Sequence, residues 1–106
     1  MDDLKTPSQP QTLALSQTCY LLSDPTRWSL LRELGQGEAL PVQELARRVG
    51  QSPAATSRHL GIMRRLGLVT TGYGRLYALA PAYQPADGAN TIDFGHFVAR
   101  LNGPPA

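Results

Sequence analysis

The residues of this 106-residue chain best suited to chemistry form the run Ser57-Arg58-His59. A hydroxyl, a guanidinium fork and an imidazole are all hydrogen-bonding groups, and the fork matches phosphate oxygens and guanine edges better than an ammonium does. Neither His59 nor the second histidine, His96, lies in a recognisable catalytic motif with a nucleophile or a carboxylate. The run therefore predicts recognition of an anionic surface, and we expect no enzymatic activity and no cofactor.

The net charge of +2 is unevenly distributed along the chain. Between Asp24 and Ala80 there are eight arginines and four carboxylates, whereas the two ends together are net negative. An arginine-rich middle favours a phosphate-bearing partner such as nucleic acid. The 42% apolar and 17% charged residues are typical of a globular domain.

Length and composition predict one domain over 1–106, with a flexible polar tail over 1–10. No apolar run is long enough to span a membrane, and the N-terminus lacks the basic-then-apolar pattern of a secretory signal. We therefore expect a cytoplasmic protein with no membrane partner. The single cysteine, Cys19, excludes an intrachain disulfide and a zinc site built from clustered thiolates.

Helical spacing of apolar residues and cap residues at the ends predict four helices. Their ranges are 12–22, 25–34, 41–49 and 53–66. The start signals are a cap followed by proline, as in Asp24-Pro25 and Ser52-Pro53. The stop signals are Gly50 and Gly67.

The pattern after Gly67 changes to that of a short hairpin. Residues 68–71 and 75–79 predict two strands joined by Gly72-Tyr73-Gly74, and 81–90 predict a loop. Residues 91–102 are ambiguous, because the spacing of Phe94, Phe97, Val98 and Leu101 suits a helix while the residue types and Gly95 suit strands. The spacing leads us to predict a helix there.

Two short helices around a glycine-containing turn, followed by a basic hairpin, form the winged helix-turn-helix plan. We therefore predict an α+β, mainly helical fold with a short two-stranded wing. A helix about 10–12 Å across fits a major groove about 12 Å wide, provided that its leading face carries no bulky apolar residue. The small and polar residues from Ser52 to Arg58 meet that condition.

The run from Leu22 to Leu79 resembles the ArsR/SmtB family of repressors. The matching motifs, in chain order, are Leu22-Ser23-Asp24-Pro25-Thr26-Arg27, Glu44-Leu45-Ala46, Ala55-Thr56-Ser57-Arg58-His59-Leu60, Gly67-Leu68-Val69 and Gly74-Arg75-x-Tyr77-x-Leu79. The resemblance implies a homodimeric repressor that binds an inverted-repeat operator in double-stranded DNA. It also implies terminal dimerisation elements, here 11–22 and 91–102, and release of DNA by an effector, which the motifs do not name.

The resemblance implies DNA contacts from the start of the fourth helix and from the wing. By position, the residues that would face DNA are Gln51, Ser52, Ala54, Ala55, Ser57, Arg58, His59 and Arg75. Ser57 and Arg58 would contact base edges or phosphate, and Arg75 would contact the backbone or the minor groove. Gln51 and the first helical amides would bind phosphate. For His59 two roles stay open, a phosphate contact or a local hydrogen bond.

This chain departs from the metal-sensing members of the family. Where they carry a Cys-x-Cys pair, this chain has Pro41 and Gln43, which cannot form a soft-metal site. Asp93 and His96 correspond to half of the family's other site, but no later His or Glu follows them. We therefore expect no metal site and no metal sensing through the usual cysteine pair.

Two other functions stay open for the same sequence. One is a winged-helix module that binds a protein partner instead of DNA. The other is a thiol-redox sensor that acts through Cys19 at a dimer interface. The simplest interpretation of Cys19 is a small residue of the core.

Overall fold

The computed structural model describes residues 13–86 and 90–101, so the predicted tail over 1–10 lies outside the described residues. Four helices are followed by two antiparallel strand pairs, β1 with β2 and β3 with β4. The helices are α1 (Leu15–Leu22), α2 (Pro25–Leu34), α3 (Val42–Val49) and α4 (Pro53–Arg65). The strands are β1 (Val69–Thr71), β2 (Tyr77–Leu79), β3 (Thr91–Asp93) and β4 (Val98–Arg100). Among the described helices, none has the length and apolar character that crossing a membrane requires.

Side-chain caps start α2 and α4, as the sequence predicts. One carboxylate oxygen of Asp24 accepts hydrogen bonds from the amides of Thr26 at 2.8 Å and Arg27 at 3.2 Å. The hydroxyl of Ser52 accepts from the amide of Ala55 at 3.1 Å. Each cap satisfies amides that have no acceptor within the helix, and each is followed by proline.

Left-handed glycines end α3 and α4. Gly50 (φ 72°) directs the chain through Gln51 and Ser52 into α4, which completes the helix-turn-helix. Gly67 (φ 85°) lets the amide of Leu68 bond back to the carbonyl of Met63 at 2.9 Å, and the side chain of Leu68 is fully buried. The predicted stop signals are therefore confirmed.

A single apolar core joins the helices to both strand pairs. Its buried members are Leu13, Leu21, Leu30, Leu31, Leu34, Leu40, Leu45, Leu60, Met63, Leu68, Val69, Leu79, Ala80, Tyr83, Ile92, Phe94 and Leu101. The segment before α3 pairs with the wing, because the backbones of Leu40 and Tyr77 exchange hydrogen bonds of 2.9 and 2.7 Å. The wing is thereby held to the helix-turn-helix.

The prediction of a helix over 91–102 is wrong, because β3 and β4 form a hairpin there. The chain reverses at Gly95 (φ 91°), whose amide donates to the carboxylate of Asp93 at 2.8 Å. The amide of Phe94 donates to the carbonyl of Phe97 at 2.9 Å and closes the turn. Ile92 within β3 and Phe94 and Leu101 at the ends of the hairpin are buried, whereas Phe97 and Val98 are exposed, so only part of the predicted apolar face reaches the core.

We expect Asp24→Ala to lower the free energy of unfolding by about 1 kcal/mol, because two amides of α2 lose their acceptor. Burial alone would raise the pKa of Asp24, but hydrogen bonds from the amides of Arg27 and Thr26 outweigh it and hold that pKa below its ordinary value. The contribution of the carboxylate is therefore present at neutral pH and is lost as the pH falls through the folded-state pKa. Urea denaturation across an acid pH series measures both effects.

Asp24→Asn is the matched control for this experiment, because the amide oxygen keeps the cap but does not titrate. It retains most of the stability at neutral pH and loses the acid dependence due to this site. Equal stability of wild type and Asp24→Ala at neutral pH would show that the cap contributes nothing.

Candidate nucleic-acid interface

Helix α4 has one buried face and one exposed face. Thr56, Leu60 and Met63 are buried. The opposite side exposes Ala54, Ser57 and Arg58, with Ala55 and His59 half-buried at its margin. The exposed face therefore joins small side chains to a hydroxyl and a guanidinium, with no large apolar group between them.

The turn before α4 is polar, and some of the amides at this helix end are already hydrogen-bonded. The amide of Gln51 donates to the carbonyl of Ala46 at 3.0 Å, and that of Ala55 donates to the hydroxyl of Ser52 at 3.1 Å. The hydroxyl of Ser52 serves as the cap of α4. An anion at this helix end would therefore rely on the exposed side chain of Gln51 more than on these amides.

Ion pairs remove two arginines from the basic surface. Glu44 binds both Arg47 and Arg48, and Arg48 also pairs with Glu33 at 3.3 Å and Glu38 at 3.7 Å. Hydrogen bonds from Arg47 and Arg48 lower the pKa of Glu44 to about 2. The carboxylates of this region are thus paired with the two arginines of α3, Arg47 and Arg48.

The arginines of α4 lack such partners. Arg58, Arg64 and Arg65 make no ion pair with any described residue, and α4 contains no acidic residue. The arginine surplus seen in the sequence is therefore concentrated on this helix, and its exposed surface is electropositive.

The tip of the wing displays an aromatic ring and one cation. The turn between β1 and β2 is a short 3₁₀ segment, Tyr73–Arg75. Gly74 (φ 68°) and Arg75 (φ 59°) are both left-handed, a conformation that costs a non-glycine residue about 1–2 kcal/mol. Tyr73 is fully exposed, and so is much of Arg75. The strain at Arg75 is an outlier of the type that clusters at functional sites.

His59 makes a local hydrogen bond instead of standing free. Its Nδ1 lies 3.2 Å from Nη1 of Arg27, and its Nε2 lies 4.0 Å from Oδ1 of Asp24. Sequence reasoning did not identify Arg27 as a functional residue, although both residues occur in the matched motifs. Their partnership is not visible in the sequence because 32 positions separate them.

Asp93 and His96 do not converge on a common point. Asp93 accepts the amide of Gly95, and Nε2 of His96 lies 3.1 Å from the carbonyl oxygen of Leu13. Across residues 13–86 and 90–101, no three metal-ligating side chains are grouped as they would be to hold a metal ion.

The terminal elements expose apolar side chains. Leu15 and Tyr20 on α1 are about half exposed. Phe97 and Val98 on the second hairpin are 37% and 59% exposed. Cys19, which is also on α1, is exposed, so its interpretation as a core residue is wrong.

Comparison with known proteins places these features in a family. A family model described as a helix-turn-helix domain matches residues 22–72. The HTH-type transcriptional regulator NmtR of Mycobacterium tuberculosis is 38% identical over 55 residues, which are 52% of this chain. The match spans 45% of NmtR, so this chain corresponds to less than half of that curated relative.

Two solved structures are similar over a larger share of their length. HlyU from Vibrio cholerae is 31% identical with a TM-score of 0.55, covering 61% of this chain and 73% of HlyU. The cadmium metal-sensor CmtR from Mycobacterium tuberculosis is 39% identical with a TM-score of 0.54. The similarity covers 64% of this chain and 73% of CmtR. The helices, the wing and these matches agree, and the chain belongs to the ArsR/SmtB family of winged helix-turn-helix transcriptional regulators.

Proposed function

We propose that this protein is a sequence-specific repressor that binds an inverted-repeat operator as a homodimer. The observation that carries the proposal is the exposed face of α4, which is small, polar and electropositive without compensating carboxylates. One α4 would enter the major groove of each half-site, about 34–36 Å from its symmetry mate. A DNA partner implies that the protein acts in the cytoplasm.

Each exposed residue has a role in this arrangement. Ser57 and Arg58 contact base edges, where a forked guanidinium is suited to guanine. Ala54 and Ala55 permit close approach of the helix, and Gln51 and Arg75 contact phosphates. His59 and Ser52 act by holding α4 in place, since both side chains already have hydrogen-bond partners in the protein.

The homodimer is supported by the apolar surface of the terminal elements. Leu15, Tyr20, Phe97 and Val98 are four large apolar side chains exposed to solvent in the isolated chain. His96 connects the tip of the second hairpin to the chain just before α1, so the two elements lie side by side. A second copy would cover this surface, although the hairpin replaces the helix expected at that end.

In this proposal, release of DNA does not depend on a thiolate metal site at α3. CmtR is a cadmium sensor, but here Pro41 occupies the position before α3 and Gln43 is exposed on its first turn. Neither side chain supplies a soft ligand. We therefore propose that cadmium does not release this protein from DNA through that site.

A protein partner is the second candidate, and one observation favours it. The wing carries a fully exposed Tyr73 beside a single cation, a surface that a protein would also accept. The two candidates differ in ionic-strength dependence, because DNA binding releases counterions and weakens steeply with salt.

Arg58→Ala should lower operator affinity by about 1–3 kcal/mol for each half-site contact, and reduce discrimination against random DNA. Mobility shift with DNA from beside the gene and with random DNA of equal length measures both quantities. Arg32→Ala is the control, because it removes the same charge from α2, and it should change affinity little. Cadmium should leave the wild-type curve unchanged. Equal binding by wild type and Arg58→Ala, or no preference of the wild type for operator, contradicts the proposal.

Arg75→Ala and Arg75→Gly should separate backbone strain from charge. Both variants remove the guanidinium that binds phosphate, so the slope of log K against log salt becomes shallower by about 0.9 for each phosphate that Arg75 neutralises. Arg75→Gly should be more stable than Arg75→Ala by about 1 kcal/mol, because glycine adopts the left-handed conformation freely. Salt titration and urea denaturation supply the two measurements. An unchanged slope would show that Arg75 does not contact phosphate.

Val98→Asp should convert the dimer into monomers, because it places a charge in the proposed apolar interface. Sedimentation velocity at micromolar concentration measures the change. Tyr73→Asp is the control, since it introduces the same charge at the wing tip and should leave the dimer intact. A monomeric wild type contradicts the homodimer, and a dimeric Val98→Asp variant contradicts this interface.

A further inference from the structure

Arg27 is the one buried charged side chain among the described residues, with 6% of its surface exposed. Its Nε donates to the carbonyl of Leu21 at 3.0 Å and its Nη2 to the carbonyl of Tyr20 at 2.9 Å. The guanidinium carbon also lies 4.7 Å from the ring centroid of Tyr20. These carbonyls belong to the last turn of α1, whose carbonyls need donors from outside the helix. The carbonyl of Tyr20 also accepts from the amide of Ser23 at 3.4 Å and from its hydroxyl at 2.8 Å. Arg27 therefore closes the end of α1 from its place on α2.

The third arm of Arg27 reaches the helix that carries the DNA-facing residues. Nη1 lies 3.2 Å from Nδ1 of His59. A guanidinium only donates, so Nδ1 accepts and the imidazole proton is on Nε2, which faces Asp24 at 4.0 Å. His59 follows Arg58 directly in α4. One planar group thus connects the end of α1 with the middle of α4.

Stability alone is a poor explanation for this arrangement. No carboxylate forms a salt bridge with Arg27 in the described part of the chain, although Asp24 lies near enough for the guanidinium to help lower its pKa. The direct partners of the guanidinium are neutral acceptors and a ring. Burying a charge carries a large desolvation cost, which an apolar side chain of similar volume would avoid. The property that only the guanidinium supplies is a set of directional bonds in fixed geometry to two different helices.

We propose that Arg27 is a positioning residue that, through His59, holds α4 at a fixed orientation relative to α1. The inference rests on the proposed function, in which α1 belongs to the dimer interface and α4 reads DNA. Orientation of α4 against α1 then determines whether both recognition helices of a dimer reach their half-sites together. The Arg27–His59 bond acts on that geometry and not on any contact within one half-site.

His59 offers variants that separate this role from a direct DNA contact. His59→Asn keeps a hydrogen-bond acceptor at the place of Nδ1 and removes Nε2. His59→Leu keeps the bulk and removes the acceptor. Both change a half-buried position, so folding is checked by thermal unfolding before binding is measured. Arg27→Lys is the partner variant, since it keeps the charge and removes the fork.

The experiment compares three DNA probes of equal length, a full operator, a single half-site and random sequence, over a range of salt concentrations. We expect His59→Leu and Arg27→Lys each to lower the ratio of full-operator to half-site affinity about tenfold, with the salt slope unchanged. His59→Asn should keep the wild-type ratio. The double variant Arg27→Lys/His59→Leu should lower this affinity ratio no further than the more severe of the two single variants, because both substitutions remove the same bond.

Other results overturn the inference. If His59→Leu weakens all three probes equally and makes the salt slope shallower by about 0.9, His59 is a phosphate contact. If the ratio is unchanged while Arg27→Lys lowers only the unfolding temperature, Arg27 is merely structural. Arg58→Ala separates these failures from failure of the proposed function. It weakens full operator and half-site together if α4 reads DNA, and it changes neither if α4 does not.

Discussion

Burial of one face of α4 against the other helices and β1 is the interaction on which the rest of the structure depends. Leu60 and Met63 reach the core, so Ser57 and Arg58 have to point away from it. The same packing sets where the chain leaves α4 at Gly67, and therefore where the wing begins. A helix with these two faces can be held firmly by the protein while it presents hydrogen-bonding groups to an external surface.

Charge compensation decides which part of the surface is electropositive. Composition alone shows only a modest surplus of arginine. In the folded chain, Arg47 and Arg48 are neutralised by Glu44 with help from Glu33 and Glu38. The surplus is left on α4, the helix that the proposed function places in the major groove. Arg27 is buried, and its charge contributes to the placement of α4 more than to the attraction of DNA.

Much of the fold could be predicted because its signals are local. The caps at Asp24 and Ser52 and the glycine at position 50 act on residues only a few positions away. Over 91–102 the local signals conflicted, and long-range contacts decided the outcome. Phe94 packs on Tyr83 with ring centroids 5.7 Å apart, which no spacing rule reveals. The exposed face of α4 was predictable from residue type, whereas the buried Arg27–His59 bond needed the folded structure.

In the proposed function, the exposed face of α4 binds in the major groove of DNA. An NMR titration of isotope-labelled protein with operator DNA tests this placement most directly. We expect the largest amide shift changes from Gln51 to Arg58 and at the wing tip, Tyr73–Arg75, with smaller changes in the second hairpin. Changes concentrated on the terminal elements, with α4 unaffected at saturating DNA, would contradict it.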